Sequence, residues 1–212
     1  MQAEHRVSVG PVPTGGDGAP VMPALGRFTH SLTADLLPKF YEAVSRGYVF
    51  SGGTAVTGVA PGTAIGTASP FTLANPSGSG KVLVPIRTTC AYISGTLGAG
   101  SAHYVANVNP AAAAVSGTAI TVVKNRLSTS TPGNVGLLFT TATLPATPTV
   151  LRPAWSWAPL LATTALAPYL IKDDLDGEIV VAPGCALSIE STATGGSTPL
   201  VAFGMTWVEL PE

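Results

Sequence analysis

Chemistry in this 212-residue chain has few residues to start from, since it holds three histidines and two cysteines. His5, His30 and His103 are the available bases, and Cys90 and Cys185 the available thiols. Acyl transfer needs a nucleophile, a base and an orienting acid that meet in space. Cys90 and His103 can be imagined as a thiol–imidazole pair. No signature flanks either residue, however, and the chain has no G-x-S-x-G elbow. A core thiol and a hydrogen-bonded strand histidine account for both. Asp174-Leu175-Asp176-Gly177 has the acid spacing of a calcium loop, but Lys172 stands where the first oxygen ligand belongs and the later glutamate is missing. The segment reads as a turn with solvated acids. Asn75-Pro76-Ser77-Gly78-Ser79-Gly80-Lys81 approaches a phosphate loop, which requires Gly at the place of Asn75 and Ser or Thr at the place of Val82. It runs into a strand, so no helix N-terminus faces a phosphate, and a hairpin turn is expected. The residues offer no catalytic set, metal site or cofactor, and a non-enzyme is expected.

Trp155 and Trp157 have two uses. In a strand they point the same way, with Trp207 as a candidate neighbour across the fold. Paired indoles can stack on a sugar ring, which makes them candidate glycan-binding residues. Trp also dominates buried interfaces, and a core or interface role is the preferred reading.

The elements that would position these side chains are set by an unusual composition. Residues are 46% hydrophobic and only 10% charged, whereas soluble domains carry roughly 25% charge. Coiled coils and helical bundles need more charge, and a disordered chain needs a large net charge. Ten Lys and Arg against eleven Asp and Glu give a net charge of −1, without the basic excess of a nucleic-acid binder. No apolar run approaches the ~18–20 residues that span a bilayer. The first residues, Met1 to Arg6, lack the basic start and apolar core of a secretory signal. No nucleic-acid or membrane partner is expected, and synthesis in a cytosol is. Charge normally keeps a surface soluble, so one this poor in it is expected to be covered by other subunits. Cys90 and Cys185 fit buried free thiols better than a disulfide.

Residues 1–26 are broken by Gly10, Pro11, Pro13, Gly15, Gly16, Gly18, Pro20, Pro23 and Gly26. Val7, Val9, Val12, Val21, Met22 and Leu25 are spread between them, as in an extended arm that binds a partner through apolar contacts. Residues 27–50 form a linker with one short helix, expected over 33–47: Leu37, Phe40, Tyr41 and Val44 share a face, and Gly47 closes it. Residues 51–212 read as β, with short strands between Gly, Pro and Asn turns. The expected strands are 55–59, 71–73, 81–94, 102–108, 119–123, 135–141, 149–156, 169–171, 178–181, 186–191 and 200–210. Val82, Val84, Ile86 and Cys90 are expected on one face, opposite Lys81, Arg87 and Thr89. Val201, Phe203, Met205 and Trp207 are expected on another core face. The expected core rests on Val84, Ile86, Leu187, Ile189, Phe203, Met205 and Trp207. The fold class is all-β: a jelly-roll-like antiparallel β-sandwich with an extended N-terminal arm and one short helix.

Three stretches resemble one family. Phe40-Tyr41-Glu42-Ala43-Val44-Ser45-Arg46-Gly47-Tyr48-Val49-Phe50 is one of them. Leu73-Ala74-Asn75-Pro76 with Gly80-Lys81-Val82-Leu83-Val84 is the second, and Asp176-Gly177-Glu178-Ile179-Val180-Val181 through Pro183-Gly184 is the third. Together they resemble small virion structural proteins of tailed bacteriophages. The resemblance covers roughly residues 40–210 and leaves the arm outside. It brings no catalytic residues. It implies a virion protein assembled in the bacterial host cytoplasm, with the major capsid protein and sister copies, as a homotrimer, for partners. A capsid decoration or cement protein is the first expectation. A tail or head-fibre component that binds receptor glycan is the alternative.

Overall fold

The computed structural model describes residues 24–25, 31–32, 38–108, 114–128, 133–157, 170–192 and 195–212. The chain divides into two compact units, residues 1–42 and 43–212. In the first, β1 (Ala24–Leu25) pairs antiparallel with β2 (Ser31–Leu32). Of the expected helix over 33–47, residues 33–37 lie outside the described residues, and the described part holds a single turn, α1 (Tyr41–Ser45), with no buried residue. So short a helix has little stability of its own. Gly47 follows it at φ +77°, the left-handed position expected of it.

The second unit is the sandwich. It opens with β3 (Val49–Gly53), two residues ahead of the expected boundary at 51, and continues with β4 (Ala68–Ala74), β5 (Lys81–Ser94) and β6 (Gly100–Asn107). An excursion follows: β7 (Ser116–Ile120), β8 (Val123–Lys124) and β9 (Leu137–Thr143). The chain then forms β10 (Thr149–Trp157), β11 (Leu170–Asp174), β12 (Ala186–Thr192) and β13 (Leu200–Pro211). One sheet runs β11-β5-β13-β3-β8 and the other β10-β6-β12-β4-β9-β7, all antiparallel. Without the excursion, two four-stranded sheets remain, β3-β13-β5-β11 and β4-β12-β6-β10. This is the strand order of a jelly roll. The excursion widens both sheets on the same side, β9 and β7 beside β4, and β8 beside β3.

The core lies between the sheets. Phe71, Leu73, Tyr104, Leu138, Leu187 and Ile189 face Phe50, Leu83, Cys90, Val201, Phe203, Met205 and Trp207. Phe71 stacks on Phe203 at 5.5 Å between centroids, and Phe50 on Trp207 at 6.2 Å. The Tyr104 hydroxyl reaches across to Thr88 Oγ1. β13 faces inward as its alternation predicts.

β5 does not follow a single alternation. Its pairing to β13 skips Ile86 and Ile93, so each is the extra residue of a β-bulge. Leu83 and Pro85 face the core before the first bulge, and Thr88 and Cys90 face it after. Val82 and Val84 therefore point outward, against expectation, while Ile86, Cys90, Arg87 and Thr89 are placed as expected. The bulge also frees the Ile86 carbonyl, which accepts from Leu175 N at 2.7 Å and Asp176 N at 3.1 Å.

Two expected strands are turns or loops. Residues 55–59 form a turn that bridges the sheet only at Val59–Val201, and 178–181 bridge only at Val181–Leu83. Segment 75–81 links strands of different sheets, so it is a corner rather than a hairpin. Asn75 builds it. Its Nδ2 donates to Lys81 O at 2.8 Å and Val181 O at 2.9 Å, and its Oδ1 accepts from Ser79 Oγ at 2.7 Å. Its backbone pairs with Cys185 O and Gly184 N. The long connection 144–148 must pass β4, β12 and β6 to join β9 to β10. It is pinned by Leu144 N to Thr67 O at 2.7 Å and Asn107 Nδ2 to Ala146 O at 2.7 Å.

Candidate interaction surface

The imagined Cys90–His103 pair does not form. Cys90 faces the core from β5, and burial pushes its thiol far above the ordinary range, so it stays protonated. His103 lies on the outward face of β6, because its neighbours Ala102 and Tyr104 face inward. The sheet stands between the two. Cys185 is a half-buried free thiol. Asp173, Asp174 and Glu178 of the expected turn are paired with bases. Asp174 receives Arg87 Nε and Lys172 Nζ, each at 2.6 Å, and the hydrogen bonds from Lys172 and Arg87 hold its carboxyl below the usual range.

Trp157 is buried in the core and donates from Nε1 to Ser191 Oγ at 3.2 Å. Trp155 is half-buried, edge-on to Tyr104 at 6.4 Å and to Trp157 at 5.9 Å. Neither indole pairs with Trp207, which stacks on Phe50. The two indoles therefore close the sandwich at β10. Of the expected arm residues, Leu25 lies in β1 with its backbone paired to Ser31. Val7, Val9, Val12, Val21 and Met22 lie outside the described residues.

What the outside of the sandwich offers is an apolar groove. Ala106 lines it from β6, Val108 from just beyond that strand, Leu151 from β10, and Ile179 and Val180 from the segment after β11, with Glu178 at its rim. Three of these side chains are exposed: Val108 at 68%, Val180 at 56% and Leu151 at 47%. Local structure explains why. The β10–β6 pairing skips Leu151, so a bulge turns that residue outward. The 178–181 segment meets the sheet at Val181 only, which leaves Val180 facing away.

An ion cluster fixes the same corner. Arg152 Nη2 pairs with Asp173 Oδ2 and Glu178 Oε2, each at 3.1 Å, and its guanidinium lies 4.8 Å over the Tyr104 ring. Burial works against this charge, but the two carboxylates outweigh it and raise the Arg152 pKa further. Arg152 thus ties β10 to β11 across the two sheets and anchors the rim of the groove. Sequence reading missed the groove, because Val108, Leu151 and Val180 lie far apart in the chain and each is one valine or leucine among many.

A second open face lies on the five-stranded sheet. There the hydroxyls of Ser51, Thr89 and Thr206 lie beside the bare backbone of Gly53 and Gly204, with Arg87 on the same face, and Ser51 Oγ meets Thr206 Oγ1 at 2.8 Å. Among the described residues no group of three His, Cys, Asp or Glu is placed to hold a metal ion. No helix among the described residues is long and apolar enough to cross a membrane. No known family model matches the chain, and no curated protein or solved structure does either.

Proposed function

We propose that this chain is a non-enzymatic structural protein of a bacteriophage particle. It binds the outer capsid surface as a decoration or cement protein, self-associates as a homotrimer, and stabilises the head. The observation that carries this reading is the exposed apolar groove of Val108, Leu151 and Val180 on a body with so little charge. Contiguous apolar surface on a soluble protein marks a place where another molecule sits. A particle offers many identical sites at once, so modest contacts add up to firm attachment. The alternative, a glycan-binding tail or head-fibre component, would use Trp155 and Trp157. Their packing against Tyr104 and Ser191 removes the open stacking platform that role needs.

The test is co-sedimentation of the purified chain with empty phage heads. The wild type is expected to pellet with heads, and a Leu151→Asp, Val180→Asp variant with an unchanged Tm is expected to stay in solution. A wild type that ignores heads but binds host cells or their surface polysaccharide overturns decoration in favour of the fibre role. A wild type that binds nothing and remains monomeric overturns both.

A further inference from the structure

The outward face of the six-stranded sheet carries a row of polar side chains that neither the core nor the groove uses. β12 pairs with β6 so that Glu190 lies opposite His103 and Thr192 opposite Ser101. Directly opposed residues of an antiparallel pair share a face, with Cβ atoms roughly 5 Å apart. Leu187 and Ile189 point into the core, so Glu190 points away from it, yet it is 0% exposed. The loop 60–67 closes over it, and Gly66 N donates to Oε2 at 2.9 Å.

The other carboxylate oxygen, Oε1, is buried with no partner, and so is His103 Nδ1. The far side of the imidazole is engaged: Nε2 lies 2.7 Å from Ser101 Oγ, which lies 3.0 Å from Thr192 Oγ1. As the side chains stand, Oε1 and Nδ1 do not bond to each other; a small side-chain rotation that brings them together lets one shared proton satisfy both. If the carboxyl donates to Nδ1, Nε2–H donates to Ser101 and Ser101 donates to Thr192, and every member of the row has a partner.

The surroundings offer little to balance a charge. β4 brings Ser69 and Pro70 to this level, Ser188 precedes on β12, and Gly66 brings only a backbone N–H. The connection 144–148 is Leu-Pro-Ala-Thr-Pro. Among these elements His103 is the one titratable group facing Glu190, and none carries a Lys or Arg.

We propose that Glu190 and His103 form a proton-operated latch that holds the loop 60–67 against the six-stranded sheet. With one proton shared between them, the pair is neutral overall and the loop is seated. Loss of that proton leaves an unbalanced negative charge under the loop, and solvating it requires the loop to lift. Burial raises the Glu190 carboxyl to about 7, partly opposed by the Gly66 N–H, which places the change near neutral pH. The sign follows. A carboxyl whose pKa is raised in the closed state favours closure fully below its ordinary value, and that contribution is lost as pH rises through about 7. The latch is independent of which partner the groove takes.

The test is amide hydrogen exchange at Gly66 between pH 5 and 8, corrected for the intrinsic rate. Protection is expected to fall about 100-fold over that range, one factor of ten per unit of pKa difference. Glu190→Gln keeps an acceptor for Gly66 and gives His103 a permanent donor, so its Gly66 protection is expected to be high and flat with pH. Wild-type protection constant within twofold overturns the latch, as does a variant that keeps the wild-type slope. A carboxyl carbon titration of Glu190 in the wild type needs no variant: a midpoint near 7 supports the latch and one near 4.5 overturns it.

Discussion

Two buried polar side chains fix more of this structure than their size suggests. Asn75 binds three segments through donors and acceptors that only an amide supplies. Asn75→Asp has nearly the same shape but points acceptors at the Lys81 and Val181 carbonyls. It is expected to lose about 2–4 kcal/mol, more than Asn75→Ala, since it adds repulsion to the lost bonds. Denaturant unfolding at pH 7 ranks the two. Glu209 does similar work at the far end of β13. It accepts from Gly136 N at 2.9 Å, Val135 N at 3.0 Å, Lys81 Nζ at 3.2 Å and Trp207 Nε1 at 3.3 Å. Gly136 approaches so closely that a Cβ there would sit 2.9 Å from the Trp207 ring nitrogen. Glu209→Ala is expected to cost about 3 kcal/mol and to expose the 133–136 segment to protease. An unchanged digestion pattern would count against that role. The sequence placed Asn75 in a turn but showed neither its bridging role nor the burial of Glu209, because an Asn before Pro or a lone Glu near an end resembles any turn or surface residue.

At the scale of elements, legibility followed periodicity. β13 alternates Val201, Phe203, Met205 and Trp207 with small residues, and its core face was plain in the sequence. Phe203→Ala is expected to cost about 3–5 kcal/mol, as for a fully buried aromatic; thermal or denaturant unfolding showing less than about 1 kcal/mol would mean the strand is inverted. β5 was legible as a strand but not in its facing. Residues 82–86 are all apolar, Val-Leu-Val-Pro-Ile, so either parity fits, and a bulge leaves no compositional mark. The bulge makes a sharp contrast. Leu83→Ala is expected to cost about 2–5 kcal/mol and Val82→Ala less than about 1. Equal losses would remove the bulge from Ile86. In the described part of the expected helix, α1 buries none of its residues, so only one turn forms there.

The unit of residues 43–212 is a jelly roll widened on one side, and that class was readable from many short strands at near-regular spacing. Its β10 and β11 edges are poor templates for further strands. β10 carries two bulges and Pro153, and β11 carries Lys172, Asp173 and Asp174. On that side of the sandwich, assembly through faces, grooves or arms is the route left open. A chain lacking residues 1–26 is expected to keep the Tm of the sandwich and to lose most of its binding to heads. Undiminished binding would remove the arm from the interface.

One feature of the topology reaches back to synthesis. β13 lies between β3 and β5, and Ser51 meets Thr206 across 155 positions of chain. Until those last strand residues leave the ribosome, β3 and β5 have a gap between them and the Phe50, Phe71 and Leu83 side chains lack their lids. Ribosomes stalled before β13 should therefore hold nascent chains that remain sensitive to protease along their whole length, and the fold should arrive in one late step.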